Sequence, residues 1–133
     1  MTYADILAKL TEHSILPTPQ RIDIAKILFV EPQHLSAEAV MERLQGNEQR
    51  VSKATVYNTL NLFADKGLVG KCLVDPERVL FDSATAPHHH VFNVDTRELH
   101  DVPHDSIRID ALPDLPEETE PVSLEVMIKV RDA

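Results

Sequence analysis

Apolar residues recur along the first half of the chain at helical spacing. In "TYADILAKLTEH" they fall at Ile6, Leu7 and Leu10, one face of an amphipathic helix. In "TPQRIDIAKILFV", Thr18 is an expected N-cap and Pro19 takes the first helical position, where its missing N–H costs nothing; Ile22, Ala25, Ile27, Leu28 and Phe29 follow. Glu31-Pro32 ends that helix. Ser36 caps a third segment, "AEAVMERLQ", whose Ala39, Val40 and Leu44 form a short stripe before Gly46-Asn47. A fourth helix starts at Ser52. Its run "KATVYNTLNLFADKG" gathers Val56, Leu60 and Phe63 on one face, leaves Lys53, Thr55, Tyr57 and Asn58 near the opposite face, and stops at Gly67.

Two β-rich runs come next, "LVGKCLV" and "RVLFD", joined by a turn at Asp75-Pro76-Glu77, since proline presets the first central dihedral of a turn. Helices followed by a hairpin predict a winged helix. In such folds the last helix enters the major groove with its N-terminal residues toward the base edges, while basic flanks and the hairpin hold phosphates. The plainer alternative for this helix is an amphipathic core element with no ligand.

The second half changes period. "HVFNV" and "RELHDV" read as two strands about Asp95-Thr96, and "SLEVMIKV" as an alternating strand with Leu124, Val126, Ile128 and Val130 on one face. Between them Pro113, Pro116 and Pro121 allow at most a short helix. A small mixed sheet with an uncovered apolar face is too little to stand alone, so burial in a homodimer is expected. The fold class is α+β: a winged helix-turn-helix domain over 1–83, a hinge at 84–87 within the small-residue run "SATAP", and a small α/β dimerisation domain over 88–133.

Composition agrees with this plan and narrows it. With 133 residues and 43% hydrophobic content, the chain suffices for one ordinary domain or two very small ones. No apolar run approaches the roughly 20 residues of a membrane span. The start, "MTYADILAKL", lacks the basic opening and apolar core of a signal peptide, so a cytoplasmic address and no membrane partner are expected. The net charge of −9 looks wrong for a DNA binder, but it is unevenly spread. Residues 1–75 carry 8 Lys and Arg against 9 Asp and Glu, whereas 76–133 carry 5 against 13. Within the neutral half, Arg50, Lys53, Lys66 and Lys71 face only Asp65 over 50–71, a local basic patch suited to phosphates.

Candidate chemistry centres on "SATAPHHHVFNVD". Neutral imidazole is the commonest protein ligand for borderline metals, and residues i and i+2 of an extended segment share a face. His88 and His90 can therefore share an ion while His89 points away. The single cysteine, Cys72, rules out an internal disulfide and a thiolate zinc cage, so a metal held by this chain needs nitrogen and oxygen ligands. Cys72 itself reads as a small filler in a strand.

"PTPQR", "HLSAEAV", "ATVYNTLNLFADKGLV", "LFD" and "HHHVF", in this order and spacing, make the chain resemble the ferric uptake regulator (Fur) superfamily of bacterial metal-dependent transcription factors. The cysteine pairs that follow the His cluster in that family are absent, with Asn93 and Thr96 where the first pair would stand, so its structural zinc site is not expected. The proline-interrupted "SIRIDALPDLPEETEPVSLEVMIKV" is similar to the iron response regulator (Irr) branch, whose members likewise lack the pairs.

The resemblance implies a regulatory metal site of His34 in a hinge-side loop, Asp82 at the end of the wing, His88, His90 and Asp101. Three imidazoles and two carboxylates suit Fe(II) or Mn(II), with Zn(II) possible in purified protein. Aspartate at both acidic positions resembles the peroxide-sensing (PerR) branch. The family's second metal site would need ligands where this chain has Pro87, Arg108 and Val122, and looks lost. Taken singly, Asp82 or Asp101 would read as solvated surface charge and His34 as a loop polar group. His100 and His104 read as surface residues.

The same resemblance implies a dimer on a palindromic double-stranded DNA operator, acting as a repressor or activator. Tyr57 and Asn58 would contact bases, and Arg21, Lys53 and Thr55 phosphates. Leu16 stands where relatives carry a basic residue that reaches the minor groove. Because the metal ligands come from both modules, one ion would fix the hinge and select the DNA-binding arrangement. Three other readings remain, one of them a metal-independent winged-helix repressor, which would leave the His-rich hinge unexplained. Some Irr-type members bind haem at the histidine triplet, which makes His89 a haem candidate, although Cys72 is followed by Leu73 and not by the proline of a haem regulatory dipeptide. A metallohydrolase would use the same cluster to activate water, but no general base accompanies the ligands.

Overall fold

Thr2 accepts from the Asp5 amide while the Asp5 carboxylate accepts from Thr2, a reciprocal capping box that starts α1, Tyr3–Glu12. In this computed structural model, residues 1–44, 51–75 and 78–133 are described. They divide into two units, Met1–Thr85 and Ala86–Ala133.

In the first unit α2 spans Pro19–Leu28, with the Thr18 hydroxyl accepting from Arg21 N–H and Pro19 at the helix start, as the sequence predicts. A two-residue strand, β1 (His34–Leu35), precedes α3 (Ala37–Leu44), whose first turn is capped by Ser36. Then α4, Lys53–Asp65, begins at the Ser52 cap. It ends where Gly67 adopts φ +77°, so that Gly67 N–H reaches Ala64 C=O and Leu68 N–H reaches Phe63 C=O. That pair of bonds satisfies the last carbonyls, and glycine takes the left-handed position at least cost.

Strands β2 (Gly70–Asp75) and β3 (Arg78–Asp82) form the antiparallel wing, and β1 pairs with the other edge of β3 to give the order β1-β3-β2. Pro76 and Glu77 of the expected turn, the expected helix stop at Gly46-Asn47, and Arg50 lie outside the described residues. One contiguous core runs from Ile6, Leu10 and Ile15 through Ile24, Leu28 and Val40 to Val56, Leu60, Phe63 and Phe81. Burial of each large side chain contributes about 1.5–3 kcal/mol.

The second unit is a mixed sheet of order β5-β4-β6, with β4 His88–Asn93, β5 Leu99–Pro103 and β6 Met127–Val130. β4 is antiparallel to β5 and parallel to β6. A single 3-10 turn, His104–Ser106, is the only helix among its described residues. The β4–β5 turn is held by Asn93, whose side-chain oxygen accepts from the Asp95 and Thr96 amides while its amide donates to Asp132. Asp132 N–H in turn donates to Asp95. Polar cross-bonds thus hold the turn that carries Asn93 and Thr96.

Two expectations change. The strand expected over "SLEVMIKV" is shorter, because Val126 N–H is taken by the His89 ring and the regular strand starts at Met127. His34, expected in a loop, is in a strand, paired with Asp82 across β1 and β3.

Candidate functional site

In each unit an antiparallel register sets a histidine opposite an aspartate. In the first unit β1 and β3 align His34 with Asp82, and His34 Nε2 lies 2.9 Å from Asp82 Oδ2. The other oxygen of Asp82 accepts from Ala84 N–H at 2.8 Å, which orients the buried carboxylate. Ser83 locks the strand ends beside them. Its amide donates to Gln33 C=O, and its hydroxyl accepts from Gln33 N–H and donates to Glu31 C=O. Such support orients ligand side chains and raises their basicity.

In the second unit β4 and β5 align His90 with Asp101, and His88 stands two residues from His90 on the same face. The two Nε2 atoms lie 3.0 Å apart with the rings edge to face. His88 Nδ1 lies 2.6 Å from Ala86 C=O. A carbonyl accepts only, so Nδ1 carries the proton and Nε2 presents a lone pair. Asp101 Oδ1 lies 3.5 Å from His88 Nε2 and 3.6 Å from His90 Nε2. Nitrogens bound to one ion at about 2.1 Å each sit roughly 3.0–3.4 Å apart for angles between a right angle and the tetrahedral value. The spacing of His88 and His90 therefore fits a shared cation, and the donor types fit Fe(II), Mn(II) or Zn(II).

His89 faces the other way, as the alternation requires. It is only 1% exposed, its Nδ1 accepts from Val126 N–H at 2.9 Å, and its ring stacks on that of the exposed His104. The sequence contained no signal for this stack, because fourteen residues of strand and turn separate the two histidines.

The candidate DNA face lies on the first unit. Thr18, Gln20, Arg21, Thr55 and Asn58 line one shallow groove between the start of α2 and the exposed side of α4. Arg21, Thr55 and Asn58 are thus brought together, whereas Lys53 and Tyr57 lie outside that lining. Gln20 was missed by sequence reasoning, although it sits beside Arg21 in "TPQR". The Arg21 guanidinium donates to Leu16 C=O, and Thr55 shares a hydroxyl contact with Ser52. Lys53 Nζ lies 5.8 Å from the centre of the Tyr57 ring. The Tyr57 hydroxyl donates to Glu38, which holds the Glu38 carboxyl below the usual carboxylate range and pushes the phenol up. On the wing, Lys71 donates to Asn61 of α4.

Residues 12–124 match the model of the ferric uptake regulator family. The chain is 34% identical over 86 residues to the peroxide operon regulator of Bacillus subtilis, covering 65% of this chain and 59% of that protein. It is 32% identical over 87 residues to the peroxide-responsive repressor PerR of Staphylococcus saprophyticus, covering 65% and 59% respectively. The aligned part therefore spans under two thirds of these relatives. The ferric uptake regulator from Pseudomonas aeruginosa, solved with manganese, superposes with a TM-score of 0.76 at 26% identity, covering 95% of this chain and 96% of that one. A winged helix-turn-helix unit ahead of a small mixed sheet, with the histidine and aspartate pairs on their strands and a family match across most of the length, makes this chain a member of the ferric uptake regulator family.

Proposed function

We propose that the chain is a divalent-metal-dependent transcriptional regulator of the iron or peroxide response that binds a palindromic operator as a homodimer. The observation that carries the reading is the pair of cross-strand His and Asp sets, His34 with Asp82 and His88 and His90 with Asp101. Each has converging donor atoms and backbone support. When bound, the cation supplies a crosslink among three imidazoles and two carboxylates. The chain's own part is to bring His34 and Asp82 from the first unit, and His88, His90 and Asp101 from the second, to that cation. An ensemble that satisfies all five is selected over one that satisfies only some. In a dimer this sets the distance between the two copies of α4, and hence the half-site spacing they can read. Tyr57 and Asn58 contact base edges, with Tyr57 against thymine methyls, and Arg21, Lys53 and Thr55 contact phosphates.

Mn(II) or Fe(II) is the working metal, in keeping with an all N/O donor set and with the manganese of the ferric uptake regulator structure from Pseudomonas aeruginosa. The family match supports a regulator over a metallohydrolase. The haem reading at His89 loses support because its ring is buried and its Nδ1 already accepts a backbone proton. The test is metal analysis of untagged protein, followed by selection of bound duplexes from a random library and anisotropy titration of the winners. Removal of metal by chelator should weaken operator binding at least about tenfold and Mn(II) should restore it. Equal affinity with and without metal would overturn the metal dependence.

A further inference from the structure

The contact between Glu38 and Tyr57 is not accounted for by metal binding or by the core. Glu38 lies in the first turn of α3 and is exposed, and its contact with Tyr57 sets an acidic group beside the helix proposed to read DNA. Its repulsion of phosphates opposes DNA binding, so its presence there calls for a compensating role. Tyr57 projects from α4 with its ring half-buried against the core cluster. Its hydroxyl donates to the Glu38 carboxylate, and the Lys53 ammonium stands over its ring. The ring is thus held at three points: the core beneath it, a cation on its face and an anion at its tip.

We propose that Glu38 is a positioning residue for sequence reading, holding the Tyr57 hydroxyl so that the ring meets the bases with its apolar surface. The proposal rests on the DNA reading above. A phenol whose proton is committed to a carboxylate does not donate it to a base or a phosphate. A Tyr57 not held at its tip would be free to swing about χ1, with an O–H able to bond any phosphate oxygen, a contact without sequence information. Held by Glu38, the ring is fixed for shape recognition of the thymine methyl group. The displacement of the phenol's ionisation upward and of the carboxyl's downward is what such a bond produces.

The experiment uses full-length, Mn(II)-loaded protein with duplexes selected by the parent from a random library, against scrambled duplexes of the same composition. Glu38→Ala removes an anion and so raises binding to all DNA alike, but the ratio of selected to scrambled affinity cancels that effect. The ratio should fall roughly threefold to tenfold in Glu38→Ala and in Tyr57→Phe, the span of one ordinary hydrogen bond. The double variant should fall no further than either single one, and Glu38→Gln, which keeps an acceptor, should retain most of the parent's ratio. Additive losses, or an unchanged ratio in Glu38→Ala, would overturn the proposal. A second arm needs no DNA. With Tyr3→Phe leaving Tyr57 as the sole tyrosine, ultraviolet titration should show its ionisation move down on Glu38→Ala, and no movement counts against the contact. A selection that enriches no sequence overturns the DNA reading and this proposal with it, whereas enrichment with unchanged ratios overturns this proposal alone.

Discussion

Met1–Thr85 and Ala86–Ala133 solve the problem of burial differently. The first unit wraps four helices and a wing around a closed apolar core from Ile6 to Phe81. In the second, Phe92 is the one buried apolar residue among those described, and its buried companions are His89 and His90. Leu124, Ile128 and Val130 remain exposed on the chain by itself. One buried phenylalanine contributes about 1.5–3 kcal/mol, against roughly 1–2 kcal/mol of backbone entropy for each residue ordered. A three-stranded sheet so furnished depends on something outside itself. The difference teaches that the first unit carries its own apolar core, whereas the second leaves its apolar residues to the proposed metal and partner chain.

The largest test of that contrast is in the core. Phe63→Ala should cost about 3–5 kcal/mol in urea unfolding at any protein concentration, because the cavity lies wholly within one unit. In the second unit, Ile128→Asp should instead shift the oligomer toward monomer in sedimentation, and its unfolding midpoint should lose the concentration dependence of the parent. A parent whose second unit melts independently of concentration would break the comparison. Next in size is the metal. His90→Ala should weaken Mn(II) binding about 100-fold or more in calorimetry with the first unit's helices intact, since removing a ligand exceeds the effect of removing its support. His89→Ala should leave that affinity nearly unchanged yet cost about 1–3 kcal/mol, because it orphans the Val126 amide. A loss of metal affinity equal to that of His90→Ala would sharpen the question toward a metal or haem role for His89.

Local signals carried the first unit. Thr18, Pro19, Ser36, Ser52 and Gly67 start or stop helices through their own backbone chemistry, and each does so where the sequence predicts. Alternation likewise assigned opposite faces to His89 and to the His88 and His90 pair. What local reading could not deliver is register. That β1 exists at all depends on His34 and Leu35 finding Asp82 and Phe81 nearly fifty residues away. The early end of β6 depends on a bond between Val126 and His89 across 37 positions. The Glu38 and Tyr57 contact, 19 residues apart on two helices, is also a product of packing. The proposed metal set of five residues was suggested only by family resemblance, since the carboxylates of Asp82 and Asp101 carry no periodic mark.

The smallest effects separate reading from holding on the first unit's surface. Asn58 is exposed beside the groove and off the Val56, Leu60 and Phe63 stripe, so Asn58→Ala should spare stability. It should cost about 1–3 kcal/mol at the selected operator and relax preference at one position per half-site. Lys53 is the first residue of α4, exposed, with its ammonium above the Tyr57 ring. Lys53→Ala should weaken binding to selected and scrambled duplexes alike and lower the slope of log affinity against log salt by about one, since a phosphate contact releases a counterion whatever the sequence. The measurement is a salt titration of both duplexes for each variant. Equal losses on both duplexes for Asn58→Ala, or a selective loss without change of slope for Lys53→Ala, would exchange the roles of the two residues and move base reading to the very first turn of α4.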